Sequence, residues 1–215
     1  MYKFISFEGI DGSGKTTLRN ALLERLTRGK IPATSVGQNS WLSASAADTI
    51  LMARERQVVF PAKKMVAAYL ADKSLHYALN VLNLRRFGIV VSDRFYVSDI
   101  VYMHVLHGVP MEDLCEAFLS GPFVWPDYVF FVDVDPALAA RRVGLRGKPR
   151  RHYEQEADLR ALSEAYQRFF RQYADRIPTR LRRLTNDDGS VDMDIERVMD
   201  QAEIRSNPRC NQIEN

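Results

Sequence analysis

Cysteine is scarce: the 215 residues hold two, Cys115 in a helix-like stretch and Cys210 in a polar tail. That pair makes no disulfide framework, and the usage fits a reducing, cytoplasmic setting. Long apolar runs are also missing. None approaches the roughly 20 residues that a membrane helix needs, and no charged-apolar-small leader pattern opens the chain. No membrane partner is therefore expected. Nor is there an excess of one charge: 30 basic against 27 acidic residues leave +3, too mild a balance to argue for nucleic acid. The four histidines show no metal spacing. His104 and His107 are three apart, but no third and fourth ligands cluster with them, so they read as surface or packing residues. Internal repeats, low-complexity segments and linkers are absent.

What remains has ordinary globular composition, 46% hydrophobic and 27% charged, and a length that suits one α/β domain. Residues 1–204 read as that domain, and 205–215 as a polar C-terminal tail. Short β-prone runs at 3–7, 32–36, 89–93, 127–134 and 181–185 alternate with helical patterns at 18–28, 46–56, 62–86, 98–106, 111–119, 137–145, 159–173 and 193–204. Gly29 and Gly88 stand where helices should stop, and residues 186–190 read as a turn. Such alternation predicts a five-stranded, mostly parallel sheet flanked by helices, with ligands at the carboxyl ends of its strands.

One stretch organises the rest. Phe7-Glu8-Gly9-Ile10-Asp11-Gly12-Ser13-Gly14-Lys15-Thr16-Thr17 carries the spacing Gly9-x-x-x-x-Gly14-Lys15-Thr16 between a strand and a helix. That is the phosphate-binding P-loop. Its glycines let the chain wrap an anion, while main-chain N–H groups and the helix N-terminus supply partial positive charge. Lys15 can reach the β- and γ-phosphates, and the Thr16 hydroxyl can ligate Mg²⁺. The third strand ends in Asp93-Arg94, and an acid there can position Mg²⁺ or its waters; a salt-bridged strand end is the plainer reading.

A basic run follows the fourth strand: Arg141, Arg142, Arg146, Lys148, Arg150 and Arg151, with no acid among eleven residues. It reads as a lid over about 141–154 that brings arginines to a triphosphate, as a solvated face, or as a nucleic-acid contact that the mild net charge disfavours. A second cluster, Arg176, Arg180, Arg182 and Arg183, is either a surface patch or a partner for a helix C-terminus.

In this order the P-loop, Asp93-Arg94 and the basic run resemble the thymidylate kinase family of nucleoside monophosphate kinases, over most of the chain. The carrying segments are the P-loop, Ala71-Asp72-Lys73 with His76, Asp93-Arg94-Phe95-Tyr96-Val97-Ser98 followed by Tyr102, and Asp133-x-Asp135-Pro136 leading to the arginines and Glu154. The resemblance implies a P-loop kinase fold and transfer of the γ-phosphate of ATP, with Mg²⁺, to a nucleoside monophosphate, foremost dTMP. It implies that Gly9, Asp11, Gly12, Ser13, Gly14, Lys15, Thr16 and Thr17 hold the donor, with Thr16 and Asp93 at the metal. Asp11 would also face the acceptor's sugar, Arg94 would grip its phosphate as a fork, and Tyr69 would lie against the base. Lys73 and Ser98 would belong to the acceptor side, and Tyr102 would crowd the sugar 2′ position. Gly12 stands where some members carry a P-loop arginine, so Arg142, Arg146 and Arg151 would supply the catalytic charge. The family tends to dimerise, and the apolar faces near 62–86 and 98–106 would serve a homodimer or be plain core.

The chain departs from the family pattern on the acceptor side. Gly37-Gln38-Asn39-Ser40-Trp41 replaces a Glu-Pro-Gly-Gly-Thr type stretch, Lys73 an arginine expected at the thymine edge, and Met103 a glutamine; Arg151-His152-Tyr153-Glu154 stands for Asp-Arg-aromatic-Glu. Lys is not equivalent to Arg at a bidentate site. Trp41 could stack on a ring or simply pack. Two alternatives stay open from sequence: a kinase of this fold with another phosphorylated or nucleoside-like acceptor, and a nucleotide-binding regulatory protein without small-molecule turnover.

Overall fold

The computed structural model describes residues 1–147, 149–186 and 190–204. Lys148, three residues of the expected 186–190 turn, and the tail with Cys210 lie outside the described residues.

Five strands form one all-parallel sheet: β1 (Phe4–Glu8), β2 (Ala33–Val36), β3 (Ile89–Asp93), β4 (Tyr128–Asp133) and β5 (Arg180–Thr185), in the order β2-β3-β1-β4-β5. The three central strands read as near-continuous apolar runs because helices cover both faces. On one face Ile5, Phe7, Val91 and Phe130 meet Leu18, Leu22 and Val198 from α1 (Lys15–Arg28) and α9 (Val191–Gln201). On the other, Phe4, Val90, Val129 and Phe131 pack against α5 (Tyr96–His107) and α8 (Glu156–Tyr173). The remaining helices are α2 (Ala44–Arg54), α3 (Ala62–Leu75), the short α4 (Leu82–Leu84), α6 (Met111–Leu119) and α7 (Pro136–Gly144). Among the described residues no helix is long and apolar enough to cross a membrane.

Gly29 is the C-cap of α1, as expected, its N–H reaching the Arg25 carbonyl at 3.1 Å; the left-handed Lys30 (φ 56°) then lets the Ile31 N–H close on the Leu26 carbonyl at 2.9 Å. Two local expectations change. The pattern at 62–86 is not one regular helix. A π-helical turn, His76–Val81, joins α3 to α4. The extra residue breaks the 3.6 period, so the buried positions step from His76 to Val81, while Leu79 is left 56% exposed. Finally, the second arginine cluster finds acids rather than a helix C-terminus. Arg176 meets Glu112 at 2.7 Å, Arg180 meets Glu203 at 3.0 Å, and Arg183 pairs with Asp133.

Candidate active site

The carboxyl ends of β1, β2 and β3 open into a cleft of about 800 Å³. The loop from Gly9 to Gly14 leaves β1 under it. Gly12, with φ +84°, lies so close to α7 that an added Cβ would sit 2.4 Å from the Ala139 carbonyl oxygen. No side chain fits there without moving α7, which excludes an arginine at this position. Gly14, with φ +94°, is the N-cap of α1. Among the described residues no side chain caps α1, and its first turn holds no acid. Its N-terminal N–H groups and dipole are thus left for an external anion. Lys15 is buried, its ammonium folded onto the Ile10 carbonyl (2.6 Å) and the Ser13 hydroxyl (3.1 Å). Burial, then the nearby Arg94, pulls its pKa down to about 7 against the opposing pull of Asp11 and Asp93. The Thr16 hydroxyl donates to Asp93 at the end of β3. A hydroxyl and a carboxylate meeting beside a phosphate loop suit a hard cation with oxygen ligands.

Arg94 stands at the centre. It follows β3 in a left-handed conformation, φ 70°. One guanidinium nitrogen donates to the Gly9 carbonyl (2.6 Å), the Tyr166 hydroxyl (3.1 Å) and Ser98 Oγ (3.2 Å). The other reaches Tyr102 (2.9 Å) and Asp11 (3.1 Å), and Tyr102 donates to Asp11 at 2.7 Å. Burial works against the Asp11 anion, but Arg94, Lys15 and Tyr102 outweigh it and hold the carboxyl well below its usual range. Beneath this group lies Glu8, wholly buried. It accepts from the Phe95 N–H (2.8 Å), the Ser98 N–H (3.0 Å) and the Ser98 hydroxyl, capping α5 from another strand. Burial pushes its pKa up to about 7 despite those bonds and Arg94.

The loop after β2 hangs from α3 and the first residue beyond it. His76 Nε2 lies 2.9 Å from the Gly37 carbonyl. The Lys73 ammonium donates to the Gln38 carbonyl (2.6 Å) and to Asn39 Oδ1 (2.9 Å). Asp72 Oδ1 accepts from the Ser40 hydroxyl (2.7 Å) and the N–H groups of Ser40 (3.1 Å) and Trp41 (3.0 Å). Asp99 of α5 completes the cluster, 3.1 Å from Lys73 and accepting from Gln38 Nε2 at 2.6 Å. Asp72, Lys73 and Asp99 are all buried. Burial raises the Asp99 pKa to about 6, while Lys73 and Gln38 limit the rise.

Asp135 caps α7, accepting from the N–H groups of Ala137 and Leu138. The basic run follows. Arg142, Arg146 and Arg151 line the cleft. Arg142 donates to the Asn186 carbonyl (3.0 Å), Arg146 lies 3.5 Å from Glu154, and Arg151 donates to the Tyr153 hydroxyl (2.9 Å). Arg150 instead turns back to the Ala140 carbonyl at 3.4 Å.

The sequence-selected residues thus converge, with two exceptions. Asp11, Gly12, Gly14, Lys15, Thr16 and Thr17 line the cleft with Asp93 and Arg94. Tyr69 and Tyr102 line an inner recess that continues from it past Asp11 and Arg94. Gly9, Ser13 and Ser98 support from behind: Gly9 and Ser98 bond Arg94, and the Ser13 carbonyl accepts from Asn186 Nδ2 at 2.8 Å. Lys73 is the first exception. The resemblance sets it on the acceptor side, but its ammonium is wholly buried, spent on the 37–39 loop and Asp99, and lines neither cavity. A lysine, unlike an arginine fork, has no second edge to turn outward. Met103, buried in the core, is likewise absent from both. Trp41 lines the cleft 43% exposed, with the Arg54 guanidinium 5.9 Å from its ring centroid.

Sequence reasoning assigned no role to Glu8, Gln38, Asn39, Asp99 or Tyr166. An acid ending an otherwise apolar strand was a usable signal for Glu8. Nothing in the sequence ties Asp99 or Tyr166 to residues at other ends of the chain.

Against known proteins, the family profile described as thymidylate kinase matches residues 7–180. The thymidylate kinase of Leptospira borgpetersenii is 31% identical over 166 residues, covering 77% of this chain and 80% of that one. That of Lactobacillus delbrueckii is 30% identical over 184 residues, 81% and 85% of the two chains. That of Rickettsia canadensis is 28% identical over 200 residues, 88% and 91%.

Proposed function

The chain belongs to the thymidylate kinase family, and from that premise we infer that it phosphorylates dTMP at the expense of ATP with the residues gathered in this cleft. One observation carries the residue-level reading. An uncapped helix N-terminus with Lys15 and Thr16–Asp93 faces the Arg94–Asp11–Tyr102 group across one cleft. That arrangement suits two phosphorylated ligands meeting end to end.

In this reading residues 1–204 act as one kinase unit in the cytoplasm, with 141–154 as its lid. The P-loop from Gly9 to Thr17 wraps the donor's phosphates, and Lys15 leaves its internal partners for the β- and γ-oxygens. Thr16 and Asp93 hold Mg²⁺, which when bound neutralises charge on the phosphate oxygens. Arg94, anchored by Gly9, Ser98 and Tyr166, exchanges its contacts with Tyr102 and Asp11 for the acceptor phosphate. Asp11 and Tyr102 border the sugar, and Tyr69 the base. Arg142, Arg146 and Arg151 close on the transferring group, where positive charge lowers the barrier most; Gly12 leaves no room for a P-loop arginine to do so. A homodimer through the outer side of 62–86, where Leu79 is exposed, belongs to the same reading, and sedimentation velocity checks it.

The test is ADP release with MgATP over a panel of nucleoside monophosphates and nucleosides. Selective turnover of dTMP is expected. Arg94→Ala should lower kcat/KM for dTMP by about 100-fold or more while MgATP binding persists. A flat dTMP response with intact ATP binding removes dTMP as the acceptor, and an unchanged dTMP KM and rate in Arg94→Ala removes Arg94 from its phosphate.

A further inference from the structure

If a base enters the recess, something must read its edge, and neither Lys73 nor Met103 reaches the cavity. Two consecutive residues do, Gln38 and Asn39, which line both the recess and the cleft. The chemistry of their partners fixes which way each amide points. An ammonium only donates, so the Asn39 atom 2.9 Å from Lys73 Nζ must be the carbonyl oxygen. Asn39 Nδ2 is then the free end. A carboxylate only accepts, so the Gln38 atom 2.6 Å from Asp99 must be the amide nitrogen. Gln38 Oε1 is then the free end. Neither free end has a partner among the described residues, and neither is a buried unpaired atom. Lys73 holds both settings at once: it bonds Asn39 directly, bonds the Gln38 main chain at 2.6 Å, and sits 3.1 Å from the Asp99 carboxylate that orients the Gln38 side chain.

The recess is thus offered one donor and one acceptor from adjacent residues, beside the rings of Tyr69 and Tyr153. An imide edge, as in thymine or uracil, shows the complement: a carbonyl acceptor next to an N–H donor. A cytosine edge shows the reverse. We propose that Gln38 and Asn39 are the specificity-determining residues for the acceptor base, Asn39 Nδ2 donating to O4 and Gln38 Oε1 accepting from N3–H, and that Lys73 is the positioning residue that sets both amides. This rests on the acceptor site proposed above and moves base reading from the helix positions to the 37–41 loop.

The experiment compares kcat/KM for dTMP and for 5-methyl-dCMP, which keeps the methyl group and sugar but reverses the edge. Their ratio does not depend on how much of a variant folds. In the unaltered protein dTMP should be preferred by on the order of 100-fold, because the mismatched edge leaves two polar groups of the site unpaired. 3-Methyl-dTMP, which lacks the N3–H, should fall similarly. Asn39→Asp keeps the shape but cannot donate. It should lower the ratio by about tenfold or more, chiefly through loss of dTMP use. Lys73→Met should also relax the ratio, which a merely structural lysine would not do. An unchanged ratio in Asn39→Asp, equal losses on both substrates included, overturns the assignment. So does comparable use of both substrates by the unaltered protein, which still leaves the acceptor site standing. No transfer to any monophosphate brings down both.

Discussion

The cleft has two walls built on different principles. The P-loop wall is made of main chain. Its shape comes from Gly12 and Gly14 in left-handed conformations, and its positive charge from a helix N-terminus that no side chain among the described residues caps. The opposite wall is made of side chains whose charges are buried and mutually satisfied: Asp72, Lys73 and Asp99 under the 37–41 loop, and Glu8 under Arg94. Two helix N-termini show the contrast directly. That of α1 is left open, while that of α5 is filled by Glu8 from another strand. A main-chain wall fits any phosphate chain. A side-chain wall can be redrawn residue by residue.

The comparison can be broken from either side. Lys15→Ala should have the largest effect on turnover, roughly 10²–10³-fold or more in kcat, with little effect on stability because the loop around it is glycine and main chain. Rapid-quench or ADP-release kinetics beside urea unfolding would show both, and near-normal turnover would sink the role given to Lys15. Lys73→Met should show the converse balance. It strands Asp72 and Asp99 in the interior, at a cost of about 3–5 kcal/mol in unfolding free energy, with loss of the loop's order. A variant as stable as the parent would show that the buried cluster holds little.

The smallest effect concerns protons. The ordinary lysine pKa is lowered to about 7 in the free P-loop. At pH 8 most Lys15 is therefore neutral, and binding a triphosphate, which favours the ammonium, should take up close to one proton. Above pH 7 that uptake opposes binding, so MgATP affinity should weaken as pH rises towards 9. Calorimetry in buffers of different ionisation enthalpy measures the uptake. Its absence at pH 8 would mean that Lys15 is already charged.

The same contrast explains what the sequence disclosed. Alternating apolar runs and helical periods marked all five strands, and β3 and α6 were placed to the residue, because burial writes itself locally. The P-loop was legible because its function lives in contiguous glycines and one lysine. The acceptor wall was not. Lys73 looked like a ligand because its neighbours in sequence resemble a ligand-bearing segment, whereas its ammonium is claimed by residues 34 and 35 positions earlier and by Asp99 on another helix. Arg94 stands in a segment that resembles the family's Asp-Arg-Tyr stretch, but the five groups that hold it come from three separate segments, the Gly9–Asp11 loop, α5 and α8.

The π-helical turn at His76–Val81 works as a phase shifter. Upstream, the helix sets Asp72, Lys73 and His76 against the 37–41 loop; downstream, it buries Val81 and aims Arg85 at Asp127 (2.6 Å) and the Tyr2 carbonyl (2.8 Å). A regular helix advances about 100° per residue, so with a uniform pitch one of these two settings would face the wrong way. The single added residue lets one rod keep two appointments. A one-residue deletion between Tyr77 and Asn80 would let the turn revert to regular α-helix with both ends still in phase, whereas a further insertion with no second π turn would rotate the downstream end by about 100° and detach it from Tyr2.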